Sequence, residues 1–245
     1  MVSPPAEHHL AFPLLEAQWL CQTFVHWPYE PAVVQALLPP GLSADLYHDA
    51  AWVSFTPFLM SRVRPPGPPA GRRAAFLETN LRTYVRLEDG TEALWFFSLE
   101  VSSALMLTAR LAGAPYHLGD LSLRTRGDGS ITYTGVRRGG SPSYHLTVRP
   151  GRALVPGERD IWLTSRWRAV TRRAGRLWQT PVTHEPWPLS AAREDGLQES
   201  LTRAAGLPPP DGAPVLHFSP GVRRVRLGAP RPVSRRGSGA GPQRP

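Results

Sequence analysis

Between Phe76 and Val85 the chain alternates with a period of two. Phe76, Glu78, Asn80, Arg82 and Tyr84 fall on one side of an extended strand, and Leu77, Thr79, Leu81, Thr83 and Val85 on the other. Similar short runs recur at 51–58, 76–87, 94–101, 121–126, 130–137, 143–148, 162–170, 176–184 and 215–219. Each is too short for an ordinary helix, and 28 prolines and 22 glycines punctuate them. Asp89-Gly90 and Asp128-Gly129 each stand between neighbouring runs and predict hairpins. Helical punctuation is confined to 31–38, which opens on Pro31 and stops at Pro39-Pro40-Gly41, to 102–111, with serines before it and Gly113 after, and to a fainter stretch at 196–205. The pattern predicts a mainly β (α+β) fold, an antiparallel sheet curved or closed on itself with a few short helices.

No linker divides residues 14–227, which are expected to form one domain. Residues 1–13, with the solvated pair His8-His9, read as a flexible arm. The segment 65–73 (PPGPPAGRR) reads as an irregular loop, and 228–245 as a disordered, arginine-rich tail.

Composition changes this picture at one chemical point: all 28 basic residues are arginine, and lysine is absent. A guanidinium stays protonated, so no side-chain amine is available to form an imine with a carbonyl substrate. The net charge of +9 is also local. Seven arginines and no acid lie in Val222 to Pro245, which leaves 21 bases against 19 acids in the remainder. The tail lacks interleaved aromatics for base stacking, so a nucleic-acid or acidic-partner role through it stands only as an alternative. Cys21 has no second cysteine to pair with and sits in an apolar segment, as a buried structural thiol would. No run reaches the roughly 18 apolar residues of a membrane span, and no basic-then-apolar leader opens the chain. A cytoplasmic protein without a membrane partner is expected.

The candidate chemistry lies on the face of 76–84. A two-residue turn at Asp89-Gly90 would set Tyr84 opposite Trp95, Arg82 opposite Phe97 and Asn80 opposite Leu99. A carboxylate, an amide and a guanidinium among large rings suit a cavity wall that holds a small organic anion. The alternative is a wet face whose arginine lies over rings, and a slip of one residue exchanges the two readings.

The stretches VHWPYEP (Val25 to Pro31), LLPPGL (Leu37 to Leu42), FLETNLRTYV (Phe76 to Val85), WFFSLE (Trp95 to Glu100), PYHLGDL (Pro115 to Leu121), HEPWPL (His184 to Leu189) and LHFSPGV (Leu216 to Val222), in that order, carry a resemblance. Over residues 14–227 the chain resembles the YqjF-like family, a domain of unknown function related to acetoacetate decarboxylase. The resemblance implies an antiparallel β-cone or barrel around a central pocket. In the decarboxylases a strand with an active-site glutamate leads, past a hairpin and a short helix, to Gly-x-Pro-Lys-Lys. There the first lysine forms the imine and the second lowers its pKa. The matching run here is Gly113-Ala114-Pro115-Tyr116-His117. By this match Glu78 corresponds to the acid, Tyr116 to the nucleophile and His117 to its cationic neighbour.

Glu78, Tyr116 and His117 are therefore the candidate catalytic residues, and Asn80, Arg82, Tyr84, Trp95 and Phe97 the candidate binding residues. An enclosed Glu78 would have a raised pKa and exchange protons, Arg82 would clamp a carboxylate, and Tyr116 and His117 would polarise a carbonyl or shuttle a proton. Such a set serves enolisation, dehydration or hydrolysis of a small oxo-compound, and equally its binding without turnover. Imine-based decarboxylation lacks its electron sink. A small-molecule ligand and a homo-oligomer are the expected partners, with no cofactor.

His26, His184, His217 and Glu185 show no zinc spacing, and His-Glu-Pro cannot open a helical His-Glu-x-x-His motif, so no metal is expected. No Gly-x-Ser-x-Gly turn or phosphate-binding Gly-x-Gly-x-x-Gly follows a strand. Trp162, Trp167 and Trp187 are among the tryptophans that qualify as pocket walls without the sequence choosing between them.

Overall fold

A computed structural model describes residues 10, 12–65 and 74–233; the expectations for 1–9, for 66–73 and for 234–245 lie outside the described residues. In chain order the elements are β1 (Leu15–Tyr29), α1 (Pro31–Gln35), β2 (Leu42–Ala44), β3 (Leu46–Tyr47), β4 (Ala50–Arg64), β5 (Ala74–Leu87), β6 (Glu92–Val101), a 3₁₀ helix (Ala104–Ala112), β7 (Tyr116–Thr125), β8 (Ile131–Arg137) and β9 (Ser143–Ala153). They continue with α2 (Glu158–Thr164), β10 (Arg168–Arg173), β11 (Arg176–Thr183), β12 (Ser190–Glu199), α3 (Leu201–Ala204), β13 (Val215–Leu227) and β14 (Arg231–Pro232). None of the described helices is long and apolar enough to cross a membrane.

The strand pairings close on themselves twice. One circuit runs β5, β6, β7, β8, β9, β12, β13, β1, β4 and back to β5. The second leaves it at β6, passes through β10 and β11, and rejoins at β13. Strands β13, β1, β4, β5 and β6 form a wall common to both, covered on its two faces. This accounts for the two-sided character of β5. Leu81 packs into the core of the first circuit with Val25, Phe55, Tyr133 and Leu146. The opposite face of the wall contributes Phe24, Phe58, Phe76 and Leu99 to a second core with Trp187.

Strand β6 is the branch point. One edge pairs with β5; on the other, Leu94 and Trp95 run parallel to Ala169 and Val170 of β10, while Leu99 to Val101 run parallel to Tyr116 to Leu118 of β7. The expected antiparallel sheet thus contains two parallel pairings. The 3₁₀ helix supplies the crossover that the β6–β7 pairing requires.

The hairpin register differs from a two-residue turn. Leu87 N–H donates to Thr91 O and Gly90 N–H to Leu87 O, so the loop is Glu88-Asp89-Gly90 with Gly90 at φ +85°. A three-residue loop of this kind needs a left-handed residue, which glycine supplies without strain. A bulge between Leu81 and Arg82 cancels the extra loop residue. Asn80 therefore faces Leu99, as the two-residue register also gives, whereas Arg82 faces Phe96 and Tyr84 faces Leu94.

Other local departures have local causes. The run 162–170 begins as α2, where Gly157 N–H donates to the Asp160 carboxylate (2.9 Å) and Glu158 and Asp160 complement the helix N-terminus. Residues expected as helix at 196–199 extend β12, which pairs with β9. Beyond Leu227, Arg231 and Pro232 pair with β11 and Val233 N–H donates to Leu177 O (2.9 Å), so described order extends to Val233 rather than stopping at 228.

Candidate functional site

The β5 face turned toward the second circuit carries Glu78, Asn80, Arg82 and Tyr84. Across β4, Phe58, Thr56 and Ser54 stand opposite the first three. Across β6, Val101, Leu99, Phe96 and Leu94 stand opposite the four.

Tyr116 reaches this face because it pairs with Leu99 in the parallel register. Its hydroxyl donates to Glu78 Oε2 at 3.1 Å, and the Asn80 side chain also hydrogen-bonds to Glu78. Glu78 is buried, and burial pushes its carboxyl up to about 8, the two hydrogen bonds offsetting only part of the effect. The acid is therefore mostly protonated at neutral pH. Burial, followed by the Glu78 charge, holds the Tyr116 hydroxyl well above its ordinary range.

His117 is one residue further along an extended strand and consequently points the other way. It pairs with Glu100, whose carboxylate is bound by Arg137 (3.0 Å from Nε). Burial, then the Arg137 charge, lower the His117 pKa. The expected Tyr116–His117 pair is thus divided by the strand between two faces, and only Tyr116 meets Glu78.

Arg82 is partly buried and has no carboxylate partner among the described residues. Its guanidinium carbon lies 5.8 Å from the centre of the Phe24 ring, it hydrogen-bonds to Tyr84, and its Nε–H has no acceptor. Burial lowers its pKa. Two further buried N–H groups, Trp19 Nε1 and Trp167 Nε1, also lack acceptors. Both of those rings pack on His184, at 5.5 and 4.8 Å between centres. Burial brings His184 down to about 4, with the Arg82 charge adding to the effect. Three unmatched donors in one neighbourhood constitute a demand for an acceptor, since an unpaired buried donor costs roughly 1–3 kcal/mol.

Trp95 and Phe97 do not share the Arg82 face. The loop and bulge turn Trp95 toward Leu42, Val85, Ala93 and Val170, and Phe97 packs against the core of the first circuit. Together with Phe96, Gly113 and Pro115 they line a recess of about 250 Å³ that extends to Val170, Thr171 and Arg172. The recess lies in the fork of β6, between β7 and β10. Phe96 both lines it and stands opposite Arg82, so the fork meets the interior at that ring. Gly113 is fixed here by contact as well as conformation: it sits at φ +84°, and a Cβ would fall 2.3 Å from Arg172 O.

Phe24 and His26, neither among the expected ligand-binding residues, are placed on this face by the alternation Gln22, Phe24, His26 along β1. His26, His184 and His217 are the histidines considered above as metal candidates. The His26 and His217 rings are 5.5 Å apart, yet the described residues contain no group of three or more His, Cys, Asp or Glu arranged to hold a metal ion.

Residues 16–223 match the model of the DUF2071 family of uncharacterized conserved proteins. The chain belongs to this family. The uncharacterized protein YqjF of Bacillus subtilis (strain 168) is 33% identical over 215 residues, 84% of this chain and 87% of that one. An acetoacetate decarboxylase-like enzyme from Sphingomonas wittichii RW1 has a similar structure, with a TM-score of 0.63 at 17% identity, covering 91% of this chain and 94% of its own. The enduracididine biosynthesis enzyme MppR, complexed with pyruvate, matches with a TM-score of 0.63 at 17% identity, covering 95% of each chain. These likenesses show that this DUF2071 chain has the acetoacetate decarboxylase-like, mainly β cone fold.

Proposed function

We propose that the interior face binds a small oxo acid, with its carboxylate on Arg82 and its carbonyl end toward Glu78 and Tyr116, and that Glu78 exchanges a proton beside that carbonyl without an imine. The observation that carries this reading is Arg82 itself, a partly buried cation with an unmatched buried Nε–H on the same strand face as the Glu78–Tyr116 pair. Pyruvate, the compound bound to MppR, belongs to the proposed ligand class.

Four residues along one strand face separate Glu78 from Arg82 by about 13 Å of backbone. In its ionised form Glu78 takes a proton from the carbon next to the carbonyl. The C–H electron pair becomes the carbon–carbon double bond of an enolate, and the carbonyl oxygen takes the negative charge. Once protonated, Glu78 is a weaker acceptor, which frees the Tyr116 hydroxyl to donate to that oxygen. Returning the proton completes the exchange. With Glu78 near 8, the ionised fraction and the rate rise with pH through that value.

Proton NMR of pyruvate in D₂O tests the reading through deuterium entering the methyl group. The wild type is expected to accelerate exchange, and Glu78→Gln to lose about 10²-fold or more of that acceleration. Ligand-induced thermal stabilisation without exchange would leave a noncatalytic binding module; neither binding nor exchange by any small oxo acid would reject the reading.

A further inference from the structure

Proton accounting at one end of this site decides what a ligand has to offer there. The Tyr84 hydroxyl donates to the Leu163 carbonyl (2.5 Å), so its one proton is committed and it accepts from Ser54 Oγ (2.7 Å). The Ser54 proton is then committed as well, and Ser54 accepts from His26 Nδ1–H (2.6 Å). His26 consequently presents a bare lone pair at Nε2. On β13, His217 Nε2–H donates to Asp160 Oδ1 (3.0 Å), and the other oxygen of Asp160 is held by Gly157 N–H. Neutral His217 therefore presents a bare lone pair at Nδ1. Burial keeps both rings neutral by lowering their pKa values.

Neither lone pair has a partner, and His26 and His217 are 0% and 3% exposed. Two unmatched acceptors on rings 5.5 Å apart are costly in a closed interior and call for a donor there. The site adjoins Arg82. Ser54 stands opposite Arg82 across β4 and β5, and the Phe24 ring lies 5.9 Å from His26 and 5.8 Å from the guanidinium. The positive charges of Arg82 and Arg159 act on His26 and oppose a cationic donor at this point. A neutral hydroxyl meets the same need without that repulsion.

We propose that the ligand carries a hydroxyl group whose single proton is shared between the bare nitrogens of His26 and His217 in a three-centre hydrogen bond, so that the substrate class is a hydroxylated small oxo acid. The proposal rests on the oxo-acid reading above. His217 is held in its accepting tautomer by Asp160, and His26 by the Ser54–Tyr84–Leu163 chain.

Calorimetric titration with two matched pairs tests it: hydroxypyruvate against pyruvate, and 4-hydroxy-2-oxobutanoate against 2-oxobutanoate. In the wild type at least one hydroxy acid should bind about tenfold or more tighter than its parent, because a site built for a hydroxyl discriminates strongly against its absence. In His217→Phe or His26→Phe, whichever is folded by near-UV circular dichroism, that ratio should fall to within about twofold. Equal wild-type affinity for hydroxy acid and parent, or a ratio that survives in a folded variant, overturns the hydroxyl assignment and leaves the oxo-acid reading standing. Failure of all four acids to bind the wild type sinks both.

Discussion

The Tyr116 hydroxyl donates to the Glu78 carboxyl at 3.1 Å across the width of β6, joining two strands that are not paired with each other. The contact exists because β7 runs parallel to β6 in a register that puts Tyr116 beside Leu99, itself opposite Asn80. Since this hydrogen bond holds the Glu78 pKa below what burial alone would give, Tyr116→Phe should move the pH midpoint of exchange above about 8 and lower the rate at neutral pH. A pH–rate profile of the variant checks this; an unchanged midpoint would mean that Tyr116 does not act on Glu78.

Glu78 also leaves a signature in stability. Its folded-state pKa of about 8 exceeds the ordinary 4.5, so between these values the native state keeps a proton that the unfolded state has released. Stability therefore falls as pH rises across that window. Glu78→Gln should match the wild type near pH 4 and exceed it by a few kcal/mol, on the order of the pKa difference, at pH 9. His184 acts on the acid side: with its folded value near 4 against 6.5, stability is lost as pH falls between them. Urea denaturation of both proteins from pH 4 to 9 measures each effect.

The buried Arg166 and the partly buried Arg82 differ in whether the fold supplies a carboxylate, and substitutions at the two sites should affect stability differently. Arg166 is bound by the buried Asp45 at 2.9 Å and lies 4.5 Å from the centre of the Trp162 ring, so Asp45→Asn should cost about 3–5 kcal/mol by stranding the guanidinium. Arg82 has no such carboxylate among the described residues, and Arg82→Met should leave stability unchanged or raise it. Denaturant midpoints for the two variants compare them directly. A large loss in Arg82→Met would assign that residue to the fold instead of to a ligand.

The fork of β6 gives a kinetic prediction. Phe96 lies between the recess of about 250 Å³ and Arg82, so Phe96→Ala should speed association of a small acid and Phe96→Trp should slow it. Stopped-flow tryptophan fluorescence follows both. Equal association rates in the two variants would place the route elsewhere.

Much of this was legible in the alternation of residues 76–85, which fixes Glu78, Asn80, Arg82 and Tyr84 on one face before any pairing is known. What alternation cannot supply is the partner strand's register. A three-residue loop and a compensating bulge exchanged Phe97 for Phe96 opposite Arg82 and Trp95 for Leu94 opposite Tyr84. His117 entered the candidate set through the match to Gly-x-Pro-Lys-Lys, and the period of two along β7 turns it to the face opposite Tyr116. The role of His26 was hidden because its meaning depends on Ser54, Tyr84 and Leu163, which only the fold brings together. The absence of lysine needed no structure, and it leaves no side-chain amine from which an imine could form.

The central claim is that a small oxo acid binds with its carboxylate on Arg82. Calorimetric titration of pyruvate at neutral pH into the wild type, Glu78→Gln and folded Arg82→Met tests it most directly. The account predicts retained binding in Glu78→Gln and a loss of about tenfold or more in Arg82→Met, as expected for removing a charge-assisted hydrogen-bond pair. Undiminished affinity in Arg82→Met would contradict it.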